Sequence, residues 1–359
     1  MDFKQQLREF KIEFDQRLEQ FLDNKLLEAE KLNQTTVFNL QQIAFVLKSG
    51  GKRFRPALAY FGHKLAGGVD NQAIWDIALA LELFHGFALI HDDIIDKSLV
   101  RRGVPTIEAL YQEYFIKNNP NIDNKHFAMS ATILGGDLAF VLANQLIANL
   151  KCDLSTKEIV QNVYYTMQFE LVAGQEDDCF GVGLADLDDL QESDVISMLK
   201  FKSGNYSIQK PLLLGALLAD ADQNQQNTIV SAGEKLGLVF QLKDDILGIF
   251  GDEKEIGKSN TSDITDGKRT LMMLKTYLRS NIDDKNRIKT ILGNENADLN
   301  DINWLKSLIQ NSGIVAELEE NCLKLVTDAK AELNHVFDST NEALQFLLSM
   351  SDYLYARQS

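Results

Sequence analysis

The sequence predicts an all-α protein that forms one domain over residues 1–359. Apolar residues recur at helical spacing along almost the whole chain, and only four prolines interrupt it. Alternating segments rich in valine and isoleucine, which are typical of strands, are scarce. The chain is long enough to bury a large core, and neither a break in composition nor a repeat of fixed period marks a domain boundary.

Two amphipathic helices are predicted at the N-terminus, the first within residues 1 to about 35. Their apolar faces consist of Phe10, Phe14, Leu18, Phe21 and Leu22 in the first helix and of Leu40, Ile43, Ala44 and Leu47 in the second. Gly50 and Gly51 are a signal for the end of the second helix. Pro56 fits the first turn of a third helix, which Gly67 and Gly68 end.

An apolar helix that ends in aspartates comes next. Its apolar run begins near Ile77, and its face has the helical spacing of four, four, three and four residues, given by Leu79, Leu83, Phe87, Ile90 and Ile94. Asp92 and Asp96 lie one turn apart on this helix and point the same way. A divalent cation between the two carboxylates relieves their repulsion. Taken alone, the pair is equally compatible with a solvated acidic turn at a helix end.

Further helices separated by polar loops fill the rest of the chain. Ser155, followed three residues later by Glu158, predicts the N-cap of one of them. The loops are predicted over residues 116–126, 181–194 and 251–270, and the helices over 129–149, 194–222 and 225–250, with several more amphipathic helices to Ser359.

A second helix combines an apolar face with carboxylates. Gln241, Asp244, Asp245 and Gly248 fall at i, i+3, i+4 and i+7, on a polar face separate from the apolar one. Two such helices packed face to face form an acidic pocket inside a helical bundle, where metal sites are commonly built. Oxygen ligands alone favour Mg²⁺, which takes substrate phosphates as further ligands.

Basic residues cluster beside these acidic helices although the net charge is −16. Arginine suits bidentate phosphate binding, so the clusters predict a diphosphate and magnesium site. The clusters comprise Lys52, Arg53 and Arg55, then Arg101 and Arg102, then Lys200 and Lys202, and finally Lys258 and Lys268. Taken singly, Arg53 and Lys200 are expected to be solvated surface charges. His85 precedes Asp92 by seven residues on the same side, where a structural and a phosphate-binding role are equal alternatives.

Composition excludes several other classes of protein. An acidic chain lacks the basic footprint of a nucleic-acid-binding protein and does not dock electrostatically on anionic lipid. The polar N-terminus lacks the apolar core of a signal peptide, and no uninterrupted apolar run approaches membrane-spanning length. The three cysteines, Cys152, Cys179 and Cys322, form neither a disulfide framework nor a zinc motif, so a cytoplasmic location is expected.

Over residues 40 to 270 the chain resembles the trans-isoprenyl diphosphate synthases, also called polyprenyl synthetases, most closely the short-chain geranylgeranyl and farnesyl diphosphate synthases. The order and spacing of its motifs make chance agreement improbable. The matching motifs are Gly50–Pro56, Glu82–His85, Leu89–Asp96, Arg101–Thr106, Gly135–Asp137, Gly174–Gln175 with Asp178, Lys202–Gly204, Phe240–Asp245, and Gly257–Lys258 through Gly267–Thr270.

The resemblance implies an isoprenoid synthase fold, which is a single all-helical bundle around a deep central cavity, usually as a homodimer. It implies an enzyme that condenses isopentenyl diphosphate head-to-tail with an allylic diphosphate. The implied roles are Asp92, Asp96 and Asp244 for Mg²⁺; Lys52, Arg55, His85 and Arg102 for isopentenyl diphosphate; and Arg101, Lys202, Ser203, Gln241, Lys258 and Lys268 for the allylic substrate. Among these, Asp92, Asp96, Lys202 and Asp244 are the implied catalytic residues.

Three positions depart from the family pattern. Gly248 stands where many members have a third aspartate, Ser203 stands where threonine is usual, and Thr261 stands where glycine is usual. An aromatic residue five positions before Asp92, next to a small one, resembles producers of the C20 product, so Phe87 and Ala88 are expected to limit chain length. Plain core packing is the alternative role for Phe87.

Geranylgeranyl diphosphate is the expected product, with farnesyl diphosphate or a longer product as the alternative. Two further alternatives are a class I terpene cyclase and a non-catalytic partner subunit. The Lys52 and Arg55 cluster and the second aspartate pair oppose a cyclase, which binds one diphosphate. The intact Asp92, Asp96, Arg101 and Arg102 oppose a non-catalytic subunit.

Overall fold

The all-α prediction is confirmed in a computed structural model of the chain, which describes residues 3–101, 103–252 and 259–357. Nearly all of the elements in these ranges are α-helices, accompanied by one π-helix and one two-stranded ribbon. The described fold divides into two compact units, Met1–Gln161 with Leu214–Asp220 and Asn162–Leu213 with Ala221–Ser359. A single domain over residues 1–359 stays a prediction.

The first unit is built around one long core helix. Its elements are α1 (Phe3–Glu30), α2 (Gln34–Lys48), α3 (Phe54–Leu65), α4 (Gln72–Ile95), β1 (Val100–Arg101), β2 (Val104–Pro105), α5 (Ile107–Asn118), α6 (Asn124–Ala148) and the start of α7 (Leu154–Cys179). The core helix is α4, which Asn71 caps by accepting from the backbone N–H of Ile74. Trp75, Ile77 and Phe84 of α4 are all at most 2% exposed, so this helix carries much of the apolar core.

The apolar faces predicted for the first two helices are confirmed. Phe10, Phe14, Leu18 and Leu22 of α1 are at most 6% exposed, and the predicted face of α2 is buried as well. The N-cap predicted at Ser155 is wrong, because Asp153 takes this role. The Asp153 carboxylate accepts from the backbone N–H of Thr156 at 2.9 Å and from the Ser155 hydroxyl at 2.6 Å.

The second unit contains the rest of α7 and the C-terminal helices. Its further elements are α8 (Glu192–Leu199), a π-helix (Lys200–Gln209), the first part of α9 (Lys210–Leu218), α10 (Gln223–Phe250), α11 (Ser262–Thr265), α12 (Leu271–Arg279), α13 (Ile282–Ile291), α14 (Leu299–Asn311), α15 (Ile314–Val336) and α16 (Glu342–Ala356). A capping box between Asp222 and Gln225 begins α10. This helix packs against both the π-helix and α15.

Two helices of the first unit are long and apolar enough to cross a membrane by length and composition. Their most apolar windows are 72% buried in α4 and 39% buried in α6. The burial of α4 is that of a core helix in a globular protein. The apolar surface of α6 is partly exposed. The absence of a transmembrane segment therefore stays a prediction.

Candidate active site

In the first unit, the chain after α4 folds back and places a guanidinium against the aspartates. Lys97 has a left-handed φ of 52°, and β1 pairs with β2 across Gly103, whose φ is 77°. Arg101 of this ribbon donates from Nε to Oδ1 of Asp93 at 2.6 Å and from Nη2 to Oδ2 of Asp92 at 3.1 Å. The ribbon therefore explains why Arg101 follows the aspartate motif at this distance in sequence.

The aspartate end of α4 concentrates negative charge. Burial raises the pKa of Asp93 to about 6 although Arg101 opposes this shift, and the charges of Asp92 and Asp96 raise that pKa further. Burial lowers the pKa of Arg101, but the two carboxylates it contacts outweigh this effect and raise the pKa overall. The region therefore favours a cation beyond the arginine already present.

The other site residues predicted in the first unit lie on α4, in the loop after α2 and in the first turn of α3. Asp96 is exposed at the C-cap of α4, and His85 is half-buried two turns before Asp92 on the same helix. Lys52 is exposed in the loop after α2, and Arg55 is half-buried in the first turn of α3. Arg102 lies outside the described residues, so its predicted role stays untested.

The reading of Arg53 as a solvated charge is wrong, because this residue is 4% exposed. It adopts a left-handed φ of 54°, and its guanidinium donates to Asp15 at 2.9 Å, to Glu82 at 2.5 Å and to the carbonyl of Leu47 at 2.7 Å. Arg53 thus ties α1, α2 and α4 together directly beside Lys52 and Arg55. Its role is to fix the conformation of the segment from the loop after α2 to the first turn of α3, which carries both residues.

Phe87 belongs to an aromatic cluster on α4 and α6. Its ring centroid lies 5.5 Å from that of Phe84, 5.0 Å from that of Phe140 and 4.8 Å from that of His91. His91 in turn lies against Gly136, where an added Cβ would come within 3.2 Å of the ring atom Cε1 and closer to Nε2. Phe87 and its neighbour Ala88 are both half-buried, which is compatible with a role in core packing and with a role at a cavity wall.

In the second unit, a π-helix carries the Lys202-Ser203-Gly204 motif. The sequence predicted a continuous helix here and gave no sign of the wider turn. The ammonium of Lys202 forms an ion pair with Asp178 of α7, and the adjacent Ser203 is half-buried. Such π-helical turns occur frequently at functional sites.

Glycines allow the π-helix to pack closely on both sides. A Cβ added at Gly174 of α7 would lie 2.7 Å from the Cα of Lys202, and one added at Gly237 of α10 would lie 2.7 Å from the carbonyl oxygen of Gly204. Glu170 of α7 adds polar anchors, since it accepts from Asn205 at 2.9 Å and from Lys210 at 3.0 Å. Backbone contacts and partly buried hydrogen bonds therefore determine where Lys202 lies.

The second aspartate motif is held from the C-terminus of the chain. Arg357 donates to Oδ1 of Asp244 at 2.5 Å and to the carbonyl of Phe240 at 2.6 Å. The side chain of Asp244 is 46% exposed, while that of Arg357 is 6% exposed. Gln241, one turn before Asp244 on α10, is half-buried. The sequence offered no signal for Arg357, because its partner lies 113 residues away.

Gly248 leaves room for the carboxylate of Asp263, which comes from another part of the chain. A Cβ at Gly248 would lie 3.1 Å from Cγ of Asp263 and closer still to Oδ2. Asp263, in α11, is 4% exposed and lies 3.3 Å from the ammonium of Lys268. A carboxylate therefore lies beside α10 at the position where the motif itself lacks a third aspartate. Thr261 has a φ of −103°, which needs no glycine, and Lys258 lies outside the described residues.

The carboxylates fit magnesium as a partial ligand set. Within residues 3–101, 103–252 and 259–357, no group of three or more His, Cys, Asp and Glu side chains is arranged to hold a metal ion. Mg²⁺ is commonly bound by one or two carboxylates together with substrate phosphates and waters, rather than by a complete protein cage. Asp92 with Asp96 in the first unit, and Asp244 in the second, supply oxygen donors of this kind.

A helical fold with aspartates at helix ends and basic side chains beside them is typical of enzymes that bind phosphorylated substrates with a divalent metal. The family profile for polyprenyl synthetase matches residues 39–309. The chain is 30% identical over 301 residues to geranylgeranyl diphosphate synthase of Sulfolobus acidocaldarius, covering 83% of this chain and 86% of the relative. It is 31% identical over 280 residues to the enzyme of the same name from Saccharolobus solfataricus, covering 77% of each.

A solved structure agrees with these relatives. Geranylgeranyl pyrophosphate synthase from Corynebacterium glutamicum, complexed with isoprenyl diphosphate and magnesium, aligns with a TM-score of 0.88 at 29% identity and covers 99% of this chain and 98% of the other. The chain belongs to the polyprenyl synthetase family. It is therefore a prenyltransferase of isoprenoid biosynthesis, as the motifs predicted.

Proposed function

We propose that the protein is a Mg²⁺-dependent enzyme that condenses isopentenyl diphosphate with an allylic diphosphate and releases geranylgeranyl diphosphate, the C20 product. Support comes from the two relatives of that name at 30% and 31% identity. The observation that carries the proposal is the contact of Arg101 with Asp92 and Asp93, in which a guanidinium, a group suited to phosphate, lies beside carboxylates, the groups suited to Mg²⁺.

The proposed binding roles are those that the motifs imply. Asp92, Asp96 and Asp244 would hold Mg²⁺ on the allylic diphosphate. The isopentenyl diphosphate would be held by Lys52, Arg55, His85 and Arg102, and the allylic diphosphate would also be contacted by Arg101, Lys202, Ser203, Gln241, Lys258 and Lys268. The burial of Arg53 supports this assignment, because it fixes the loop that presents Lys52 and Arg55.

The chemistry asks these residues to stabilise a departing diphosphate. Bound magnesium supplies Lewis-acid stabilisation of the charge that develops on the leaving oxygens. Arg101 and Lys202 add fixed positive charge that is already oriented by Asp93 and Asp178 before the substrate arrives. The departing diphosphate is able to accept the proton lost after carbon–carbon bond formation, so no dedicated protein base is required.

Product length is assigned to Phe87 and Ala88. The ring of Phe87 is fixed by Phe84, Phe140 and His91, so it is a rigid group one turn and a half before Asp92. A rigid aromatic ring limits a growing chain more sharply than a flexible side chain does. A farnesyl or longer product is the alternative that a direct measurement of chain length distinguishes.

The test of the function is product formation with purified protein. Mg²⁺, isopentenyl diphosphate and each of the dimethylallyl, geranyl and farnesyl diphosphates are supplied, and the product length is measured. We expect a C20 product with at least one primer and loss of turnover in Asp92→Ala. Asp352→Ala is the matched control, because Asp352 is also a helical aspartate in an ion pair. A lack of product with every primer would refute the function.

A homodimer through α6 is part of the proposal. Phe127, Ile133, Leu134 and Val141 of this helix are between 40% and 62% exposed, and an apolar face of this kind is typical of a surface that pairs with another protein surface. We expect Leu134→Glu to lower the mass measured by analytical ultracentrifugation from dimer to monomer. Val69→Glu, at a residue that is 77% exposed in the α3–α4 loop, should leave the mass unchanged.

A cytoplasmic location without nucleic-acid or membrane partners completes the proposal. The net charge of −16 opposes binding to both polyanionic surfaces. Cell fractionation with an antibody to the protein tests the location, and recovery in the membrane fraction after a high-salt wash would contradict it.

A further inference from the structure

The C-terminal end of the chain places a buried cation on the second aspartate motif. Arg357 directly follows α16 and is 9% exposed. Its Nη2 donates to Oδ1 of Asp244 and to the carbonyl of Phe240, and its guanidinium lies 4.4 Å from the centroid of the Phe240 ring. Three contacts of different kinds therefore fix this guanidinium on one turn of α10.

The lysine adjacent to Asp244 in sequence does not take the place of Arg357. Lys243, the next residue on α10, is directed elsewhere, because its ammonium lies 3.3 Å from Glu319 of α15 and 5.5 Å from the centroid of the Tyr355 ring. An arginine held in this way has lost most of its hydration. The Asp244 carboxylate therefore neutralises the charge of the Arg357 guanidinium, which the surrounding residues shield from water.

We propose that Arg357 is the counter-ion of Asp244 in the metal-free enzyme and that a divalent ion must compete with it for this carboxylate. The inference rests on the proposed function, in which Asp244 binds Mg²⁺. A guanidinium and a divalent ion on the same carboxylate repel each other. Binding of the metal therefore weakens the contact between Arg357 and Asp244, and the end of α16 is less firmly held in the loaded enzyme.

Two consequences follow from this competition. Removal of the charge at position 357 should strengthen metal binding, by about tenfold for a neighbouring unit charge that is partly screened by water. Reciprocally, metal binding should loosen residues 352–357, because two ligands that compete for one carboxylate oppose each other by the same free energy. The contact thus links the state of the metal site to the order of the C-terminus.

The test measures Mn²⁺ binding by electron paramagnetic resonance, with and without inorganic diphosphate. Arg357→Gln removes the charge, and Arg357→Lys retains it. Lys330→Gln is the matched control, because Lys330 also pairs with a residue of α16, Asp352, at 2.7 Å, outside the second aspartate motif. Thermal unfolding of each variant shows that it is folded. Amide hydrogen exchange over residues 352–357 is measured with and without Mn²⁺.

The expected result is an Mn²⁺ dissociation constant about tenfold lower for Arg357→Gln than for wild type, with Arg357→Lys and Lys330→Gln close to wild type. Exchange at the C-terminus should rise on Mn²⁺ addition in the wild type and not in Arg357→Gln. Equal affinities, weaker binding by Arg357→Gln, or no Mn²⁺ binding by wild type under either condition would overturn the inference. Because these readouts need no turnover, the inference can fail while product formation still supports the function.

Discussion

Gly174→Ala tests whether the position of Lys202 is set by the close contact between α7 and the π-helix. The added Cβ would lie closest to the backbone nitrogen of Lys202, and 2.7 Å from the Cα of Lys202 and from the carbonyl carbon of Phe201. Non-bonded heavy atoms in contact prefer about 3.5 Å, so the two backbones must separate by about one ångström. No flexible side chain is available at this point to absorb the overlap.

The magnitude follows from two opposing effects. Overpacking costs about 1–3 kcal/mol, and an overlap with backbone atoms belongs at the upper end of this range, at about 2–3 kcal/mol. Alanine is favoured over glycine inside a helix by about 1 kcal/mol. We therefore expect a net loss of about 1–2 kcal/mol in the free energy of unfolding, which lowers Tm by roughly 1–3 °C for a chain of this size. Displacement of Lys202 by nearly one ångström should lower kcat/KM by about 10- to 100-fold.

The assay combines urea unfolding with steady-state kinetics at a temperature where each variant is fully folded. Gly204→Ala is the matched control, because its Cβ would approach the carbonyl carbon of Gly237 only to 3.3 Å, and its effects should stay within about 1 kcal/mol and a few-fold in rate. Wild-type stability and kinetics in Gly174→Ala would refute the reasoning. Lost stability with full activity would show that this contact does not position Lys202.

Three further predictions address separate parts of the molecule. Arg53→Met should lower the free energy of unfolding in urea by about 3–5 kcal/mol, because Glu82, which is 5% exposed, is left without its cation. Lys48→Met is the control, because the pair of Lys48 and Glu19 is exposed. Equal losses in the two variants would contradict the prediction. Phe87→Ala should lengthen the product measured by chromatography and Ala88→Phe should shorten it, and an unchanged product in both would exclude the pair as the limit. Burial raises the pKa of Cys322 to about 11, so a thiol reagent at pH 7 should modify this cysteine last of the three. The modification should become faster as the pH approaches that pKa. Modification of Cys322 at the rate of a free thiol would disprove its burial.

Sequence reasoning succeeded where one periodic signal determines one element. The faces of α1 and α2 follow directly from apolar residues at helical spacing, and four of the predicted positions in α1 are buried. The aspartate end of α4 follows from a motif in which all members are near in sequence. Such features depend on local propensity and patterning, which a single sequence contains.

The features that sequence reasoning missed depend on partners far apart in the chain. Arg53 is buried by Asp15 and Glu82, 38 and 29 residues away, and its left-handed φ has no signature in a non-glycine residue. Asp263 reaches α10 because Gly248 leaves room. Arg357 contacts the second aspartate motif from the end of the chain. Charge counts and spacing do not reveal which surface charges become buried in tertiary packing.

The π-helix at Lys200–Gln209 has a consequence for insertions and deletions in this protein. A π-turn contains about one residue more than an α-turn, so the loss of one residue here would not break the helix but would return it to the α form. Because a π-turn and an α-turn each complete one rotation, the helical residues on either side would keep their faces. The residues within the turn would shift instead, and Lys202 would lose its position against Asp178. A one-residue deletion here should therefore leave the helix intact while changing the place of its lysine.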